Sequence, residues 1–379
     1  MLIKNISILG NTKEHISIGT RGKIITKNYS NDLELDFHGA IAFPGLINSH
    51  DHLEFNLFPK LGNKIYEDYV EWGNDIHSRN KTIIEKIKSV PYELRFLWGL
   101  YKNLLCGVTT VAHHGKGKVI NVKGMPDVIS RYNYLHSIRL EKLWIFKLNL
   151  RLNNNPFVLH IGEGTNTKSY HEINDLIKWN ITRRKIIGVH GVSLDLDNSK
   201  KIAALVWCPD SNIFLYNQTA NLPEVKKGTD ILFGSDSGLS SDWNIWNHIR
   251  LARDLKYLNE IELFESLSSK AARIWGLDNL GSISENKIAD IIVANNNSGG
   301  EWSNYFNTNP ENLLLILKGG QIVLLDQEYE NINHIIDRSD FDLIAINNVG
   351  KYIRKGIKDL VDNISRYLPD YKFPFTVLN

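Results

Sequence analysis

Six short apolar runs recur along the chain, at 41–47, 108–112, 156–160, 186–190, 204–207 and 231–233, each bounded by glycine or a polar turn. They are apolar at successive positions rather than alternate ones, the pattern of strands covered on both faces in a parallel sheet. Between them lie segments with helical spacing. The segment 91–106 carries Leu94, Leu97, Trp98 and Tyr101 on one face, and 170–182 and 243–258 read alike. Strand–helix alternation from about residue 45 to 278 predicts an α/β chain and, at that length, a (β/α)8 TIM-like barrel.

The ends of the chain have a different texture. Short β-like pieces at 2–9, 15–18, 23–25 and 33–36 precede the barrel, and GSISENKIADIIVAN and LLLILKGGQIVLLDQ follow it as hairpin-like strands. Neither half has a sufficient core alone, so the two are expected to join in one small β-sandwich domain. The expected organisation is a composite β-domain of 1–43 plus 281–345, a barrel of 44–280, and a C-terminal helical extension of 346–379. The extension rests on the basic amphipathic stretch VGKYIRKGIKDLVDNISRYL. One shortage stands out. Only about forty residues separate His114 from Pro156, where the third and fourth βα units belong, and a typical unit takes about thirty. One strand–helix pair is expected to be abbreviated there.

Composition narrows the function classes. With 44 Lys+Arg against 42 Asp+Glu, the net charge of +2 argues against a charge-driven nucleic-acid or membrane-surface partner. Two cysteines, Cys106 and Cys208, make no disulfide framework, and no CxxC motif is present. The N-terminal stretch lacks the long apolar core of a signal peptide. A cytoplasmic protein acting on small molecules is expected, with no nucleic acid or membrane partner.

The chemistry lies at the ends of the apolar runs. In PGLINSHDHLEFN a strand ends in His50-Asp51-His52, and the period of two puts both imidazoles on one side of the sheet. LHIGEG ends a later strand in His160 and sets Glu163 three residues on; IIGVHG ends in His190, and ILFGSDSG sets Asp236 after a buried strand. Each alone has a bland reading: a turn histidine, a solvated loop glutamate, a packed imidazole, a helix cap. Together, four strands present His or Asp at the C-terminal end, where barrel enzymes place their chemistry. Three imidazoles and a carboxylate could hold one Zn²⁺ or Fe²⁺ ion with a position left for water.

These motifs resemble the metal-dependent amidohydrolase superfamily, in the branch containing cytosine and guanine deaminases and triazine chlorohydrolases. The likeness runs nearly end to end: DFHGAIAFPGLINSHDH, LLCGVTTV, LHIGEG, VHG, VWCPDSNIFLY, FGSDSG and SKAARIWGL followed by GSISENKIADIIV. It implies His50, His52, His160 and Asp236 as metal ligands, Glu163, His190 and Asp236 as catalytic groups, and one divalent ion, Zn²⁺ or alternatively Fe²⁺. It also implies hydrolysis of a carbon–nitrogen bond in a small heterocyclic or amidine-like substrate by activated water, with deamination the leading reaction. Glu163 would shuttle protons and His190 would stabilise developing charge. The alternatives are amide or cyclic-amide hydrolysis on the same ligands, and a catalytically silent small-molecule-binding barrel. A homodimer is a family-level expectation.

Further candidates surround this set. His113 and His114 follow the second strand, Glu54 follows the metal grip, and Trp72 belongs to the aromatic run IYEDYVEWGNDIH. All four are expected to bind substrate, against the bland reading of packing and strand-end hydrogen bonds. A dinuclear site would need a carboxylated lysine near the fourth strand. Lys118, Lys123, Lys142 and Lys147 lie in that window without a ligand motif, and the His-x-x-Glu signature resembles the mononuclear branch. Cys208 has no assigned base and reads as a buried structural thiol.

Overall fold

The computed structural model describes residues 1–379 except 12–14, 20–21, 26–32, 151–152, 297–298, 330–335 and 379. The chain opens with β1 (Leu2–Ile8), β2 (His15–Ile18), β3 (Ile24–Ile25) and β4 (Glu34–Pro44), and β4 passes through Gly45 straight into β5 (Leu46–Asp51). Three helices then intervene: α1 (Tyr69–Arg79), α2 (Lys81–Lys88) and α3 (Tyr92–Leu105). Asp68 starts α1 by accepting from the amides of Val70 and Glu71, the usual duty of an N-cap carboxylate.

The TIM-like strands follow in chain order: β6 (Val108–His113), β7 (Asp127–Ile129), β8 (Asn133–Tyr134), β9 (Phe157–Ile161), β10 (Ile186–His190), β11 (Ala204–Trp207) and β12 (Asp230–Phe233). Every pairing among them is parallel, in two groups, β5–β6–β7 and β8–β9–β10–β11–β12. Beyond the end of β12, the amides of Ser235 and Asp236 donate to the His50 carbonyl of β5 at 3.1 and 3.0 Å. One buried cluster takes Ile47, Ala112, Ile129, Val158, Val189, Val206 and Leu232, a residue from every strand of the array except β8. Continuous apolarity in the sequence reflects this interior.

The abbreviation falls between β6 and β9. Only residues 130–132 separate β7 from β8, with no helix between them. The first half of this extended stretch pairs with β6. Its second half pairs with β9, continuing through Leu135 N to Val158 O at 3.1 Å and His160 N to His136 O at 2.9 Å. A short α4 (Trp144–Asn149) precedes β9, and α5 (Thr167–Trp179) follows it.

After these parallel strands come β13 (Ile291–Ala294), β14 (Leu313–Lys318), β15 (Gln321–Asp326), β16 (Phe341–Ile346), β17 (Val349–Arg354) and β18 (Thr376–Val377). They join β1–β4 in a single ten-stranded sheet, with β13 antiparallel to β4 at the junction of the two chain ends. The stretch read as a helix from residue 346 differs. Asn347 and Asn348 both take left-handed backbone (φ 46° and 67°), which makes a two-residue hairpin of β16 and β17. The helix begins later, at Ile357–Ser365, with Leu360 and Ile364 buried.

Candidate active site

Strand ends converge on a cluster of imidazoles. The rings of His50 and His52 lie 4.9 Å apart, and that of His160 lies 5.1 and 5.5 Å from them. One nitrogen from each of the three lies within 4.8 Å of the others. Asp236 Oδ1 stands 3.7 Å from Nε2 of both His50 and His52. His190 completes the ring of groups: its Nε2 is 3.7 Å from Glu163 Oε1 and 3.9 Å from Asp236 Oδ2, and its Nδ1 pairs with Asn212 Oδ1 at 2.9 Å.

The backbone is specialised where these side chains turn inward. His190 and Asp236 take left-handed conformations (φ 70° and 57°), which cost a non-glycine residue about 1–3 kcal/mol and persist only where the surroundings hold them. Gly234 permits the close approach of β12 to β5, since a Cβ there would stand 2.8 Å from that of His50.

Burial shapes the charges. Desolvation, reinforced by neighbouring imidazoles, pushes His50, His114 and His160 well below the usual histidine range, so they are neutral and can offer lone pairs. Burial pushes Glu163 up to about 7; His190 and a hydrogen bond from Tyr216 oppose that rise, and Asp236 adds to it. For Asp236 burial also acts upward, but His190, His52 and the hydroxyls of Ser211 and Ser240 outweigh it and hold the carboxyl low. His50 Nε2, His160 Nε2 and His190 Nε2 are buried without a hydrogen-bond partner, while Glu163 Oε2 lies 3.0 Å from His160 Nδ1. Orphaned lone pairs on neutral imidazoles beside an ionised carboxylate are what a divalent cation would satisfy. His50, His52, His160 and Asp236 therefore fit a metal ion.

A second polar network lies behind the ligands. Asp51, between the two histidines, accepts from Lys102 Nζ (3.2 Å), Asn103 Nδ2 (2.8 Å), Asn56 Nδ2 (2.7 Å) and Ser235 Oγ (3.2 Å). Asn48 donates to Asn103 and Ser235, and its oxygen accepts from the Ser235 amide at 3.1 Å. This knot joins the residue between His50 and His52 to the residue before Asp236.

In front of the cluster opens a cavity of about 280 Å³. His52, His160, Glu163 and Asp236 line it together with Phe55, Phe58, Tyr69, Trp72, Ile76, Ile84 and Leu239. The polar atoms of its aromatic walls are engaged elsewhere. Trp72 Nε1 donates to Leu61 O at 2.7 Å, and the Tyr69 hydroxyl donates to Glu172 Oε1 at 3.2 Å and accepts from Ser137 Oγ at 2.9 Å. What remains is an apolar chamber ending in a polar floor.

The model of the Amidohydrolase family matches residues 151–323. Those residues include His160, Glu163, His190 and Asp236. An adenosine deaminase from Xanthomonas campestris with bound zinc is 14% identical, with 97% of each chain covered and a TM-score of 0.66. An atrazine chlorohydrolase from Arthrobacter aurescens, complexed with zinc, is 16% identical over 97% of this chain and all of its own, again at 0.66. A guanine deaminase from C. acetobutylicum with guanine bound is 16% identical over 85% of this chain and 99% of its own, at 0.62. At these identities the likeness concerns the fold. Among curated proteins none matches by sequence.

The fold brings together most of the residues singled out from the sequence. His50, His52, His160, Glu163, His190 and Asp236 meet in one cluster, and Trp72 lines the cavity. His114 is buried against the cluster, its ring stacked 4.8 Å from that of His160 and both its nitrogens unpartnered. His113 and Glu54 are placed otherwise than expected. They face each other at 3.6 Å outside the cavity lining, His113 Nδ1 accepts from the Leu53 amide, and its ring packs on Phe96. Consecutive residues of an extended strand point to opposite sides, so His113 and His114 cannot both face the cavity. Both cysteines are buried, and burial pushes both thiols up, that of Cys106 to about 12.

Sequence reasoning missed His136. It lines the cavity with its ring 4.8 Å from that of His160, at the end of the stretch that begins as β8. The signal was there: NYLH ends a short β-like run in an imidazole, as VLH and GVH do. Lys102 and Glu172 were passed over because a helical charge usually faces solvent.

Proposed function

We propose that this protein hydrolyses a carbon–nitrogen bond of a small heterocyclic or amidine-like substrate, with deamination the leading reaction. The observation that carries the reading is the cluster of His50, His52, His160 and Asp236 facing Glu163 and His190 at the floor of the apolar cavity. The four would hold one divalent cation, Zn²⁺ on the evidence of the zinc-bound relatives. When bound, such an ion supplies Lewis acidity and brings the pKa of water towards about 7.

The chain's own groups have distinct tasks. Asp236, ionised and held by Ser211 and Ser240, can take a proton from water that enters the floor. Glu163, balanced near neutrality, can carry a proton to a substrate nitrogen and then to the departing amine. His190, fixed through Asn212, presents Nε2 to the same space and can stabilise charge that develops on oxygen. His136 offers a further polar atom on the wall, and His114 backs the cluster from within the barrel. Phe55, Trp72, Ile76 and Leu239 hold a flat or apolar body by stacking and exclusion of water. The guanine-bound relative supports a heterocycle of this size.

A substrate screen tests the reading. Ammonia release from aminated pyrimidines, purines, pterins or triazines supports it. Ring opening of cyclic amides without ammonia release replaces it with the amide-hydrolase alternative. No turnover of either group by the metal-loaded protein would point to a silent binding barrel.

A further inference from the structure

From Leu140, which lines the cavity, to Leu150, large apolar side chains face solvent. Leu140, Leu143, Phe146 and Leu150 are 55%, 70%, 61% and 71% exposed. Their spacing of three, three and four residues places Leu143, Phe146 and Leu150 on one side of α4, while Leu148 faces inward. The end of α5 and the turn after it add Trp179 and Ile181, 39% and 68% exposed. It is fixed against α4, because Asn149 Nδ2 donates to Trp179 O at 2.9 Å and Asn149 Oδ1 accepts from the Thr182 amide at 3.0 Å. Six large apolar side chains thus protrude together from neighbouring segments, whereas the other exposed ones, such as Ile65 and Ile261, lie apart in the sequence.

Cations border this face. Lys142, Lys147, Lys178, Arg183, Arg184 and Lys185 lie in these two segments, against the carboxylates Glu141 and Asp175. Lys147 pairs with Glu141, and Lys178 sits over the Trp179 ring at 5.5 Å. The local excess exceeds the net charge of +2 for the whole chain. The whole-chain balance, which argued against a charge-driven partner, averages over an asymmetry it cannot reveal.

We propose that this face docks the protein on an anionic lipid surface. Trp, Phe, Leu and Ile side chains that protrude between Lys and Arg are the composition of an interfacial element: apolar groups enter the acyl boundary while the cations meet anionic headgroups. These side chains stand out from a short helix and a turn, so they present no groove for a peptide. A second copy is disfavoured, because an isologous interface would set the same cations against themselves. Leu140 also lines the cavity. Docking therefore turns the cavity mouth toward lipid, the phase in which substrates with apolar bodies accumulate. The docking itself rests on the surface and not on the proposed activity.

Co-sedimentation of the full chain with vesicles tests this. Vesicles containing phosphatidylglycerol should bind it about tenfold or more better than pure phosphatidylcholine, and added salt should weaken that binding. Lys142→Gln and Lys178→Gln should each weaken it by about fivefold, the effect of losing about one interfacial charge. Phe146→Ser combined with Leu150→Ser should abolish it while leaving the thermal midpoint unchanged, since both side chains are exposed. Equal binding to the two vesicle types, or binding that survives the double change, overturns the proposal. So does dimerisation that the double change abolishes, or capture by polyglutamate without any binding to vesicles.

Discussion

Where β12 meets β5, Asp51 is surrounded by Lys102, Asn103, Asn56 and Ser235, so the charge is paired and the carboxylate well supplied with donors. Where β7 gives way to β8, neutral groups make most of the contacts: the Tyr132 hydroxyl donates to His113 O, and Asn133 pairs with Asn153 and Asn155 O. The Tyr69 hydroxyl reaches Ser137 and Glu172, and Glu172 Oε2 is buried without a partner. The first seam carries the candidate ligands His50, His52 and Asp236, and its side chains do the joining that a strand ladder does elsewhere. The second seam has lost a helix and lets one extended stretch pair on both sides. Ligand geometry needs fixed positions, and the molecule places a buried charged cross-link, Lys102 to Asp51, where the ligands are. At the other seam it tolerates irregularity, and the cavity wall and the exposed apolar face are built there.

Four perturbations break or sharpen this contrast. The largest effect belongs to Glu163, at the floor that both seams frame. Glu163→Gln should lower turnover by about 10²–10⁴-fold, the worth of a positioned proton-transfer group, while metal content stays unchanged. Full activity would remove Glu163 from that role. At the joined seam, Lys102→Ala strands Asp51 as a buried unpaired charge and should cost about 3–5 kcal/mol in urea unfolding. Lys102→Met with Asp51→Asn should recover much of this. A loss below about 1 kcal/mol would show that the knot does not hold the strands.

At the irregular seam the effect is smaller and depends on pH. Burial pushes Glu172 up to about 8, so the folded chain keeps a proton that the unfolded chain releases near about 4.3. Between those values the native state binds more protons than the unfolded state, and stability falls as pH rises. Glu172→Gln should match the parent below about pH 4 and exceed it by roughly 2 kcal/mol at pH 6, with the gap still widening towards pH 8. Parallel stability curves across that range would contradict the assignment. Smallest of all, Leu143→Ser should change stability by no more than about 0.5 kcal/mol, because the side chain is already in water.

The same contrast explains what was legible in the sequence. His50, His52, His160, His190 and Asp236 each end an apolar run, and parallel strands carry such ends to one face, so their meeting could be read without coordinates. The strands at the two chain ends were legible as short β-like pieces, but the Asn347-Asn348 turn was absorbed into an amphipathic pattern that hides a hairpin. The β7–β8 stretch was legible only as a shortage. Two strands of three and two residues carry no periodicity, and His136 went unread with them. Lys102 and Glu172 were unreadable for another reason: whether a helical charge faces water or a buried partner depends on the neighbouring elements. The pairing of His113 with Glu54 shows the limit of adjacency, since neighbours on a strand serve opposite faces.

The central claim is that His50, His52, His160 and Asp236 hold a divalent cation between the first and last strands. Elemental analysis of protein prepared with excess zinc, alongside His160→Ala, tests it most directly. Near-stoichiometric metal in the parent and its loss in His160→Ala, with the fold retained by circular dichroism, is the predicted result. A parent chain that stays metal-free, or a His160→Ala chain that keeps its full complement, would contradict it.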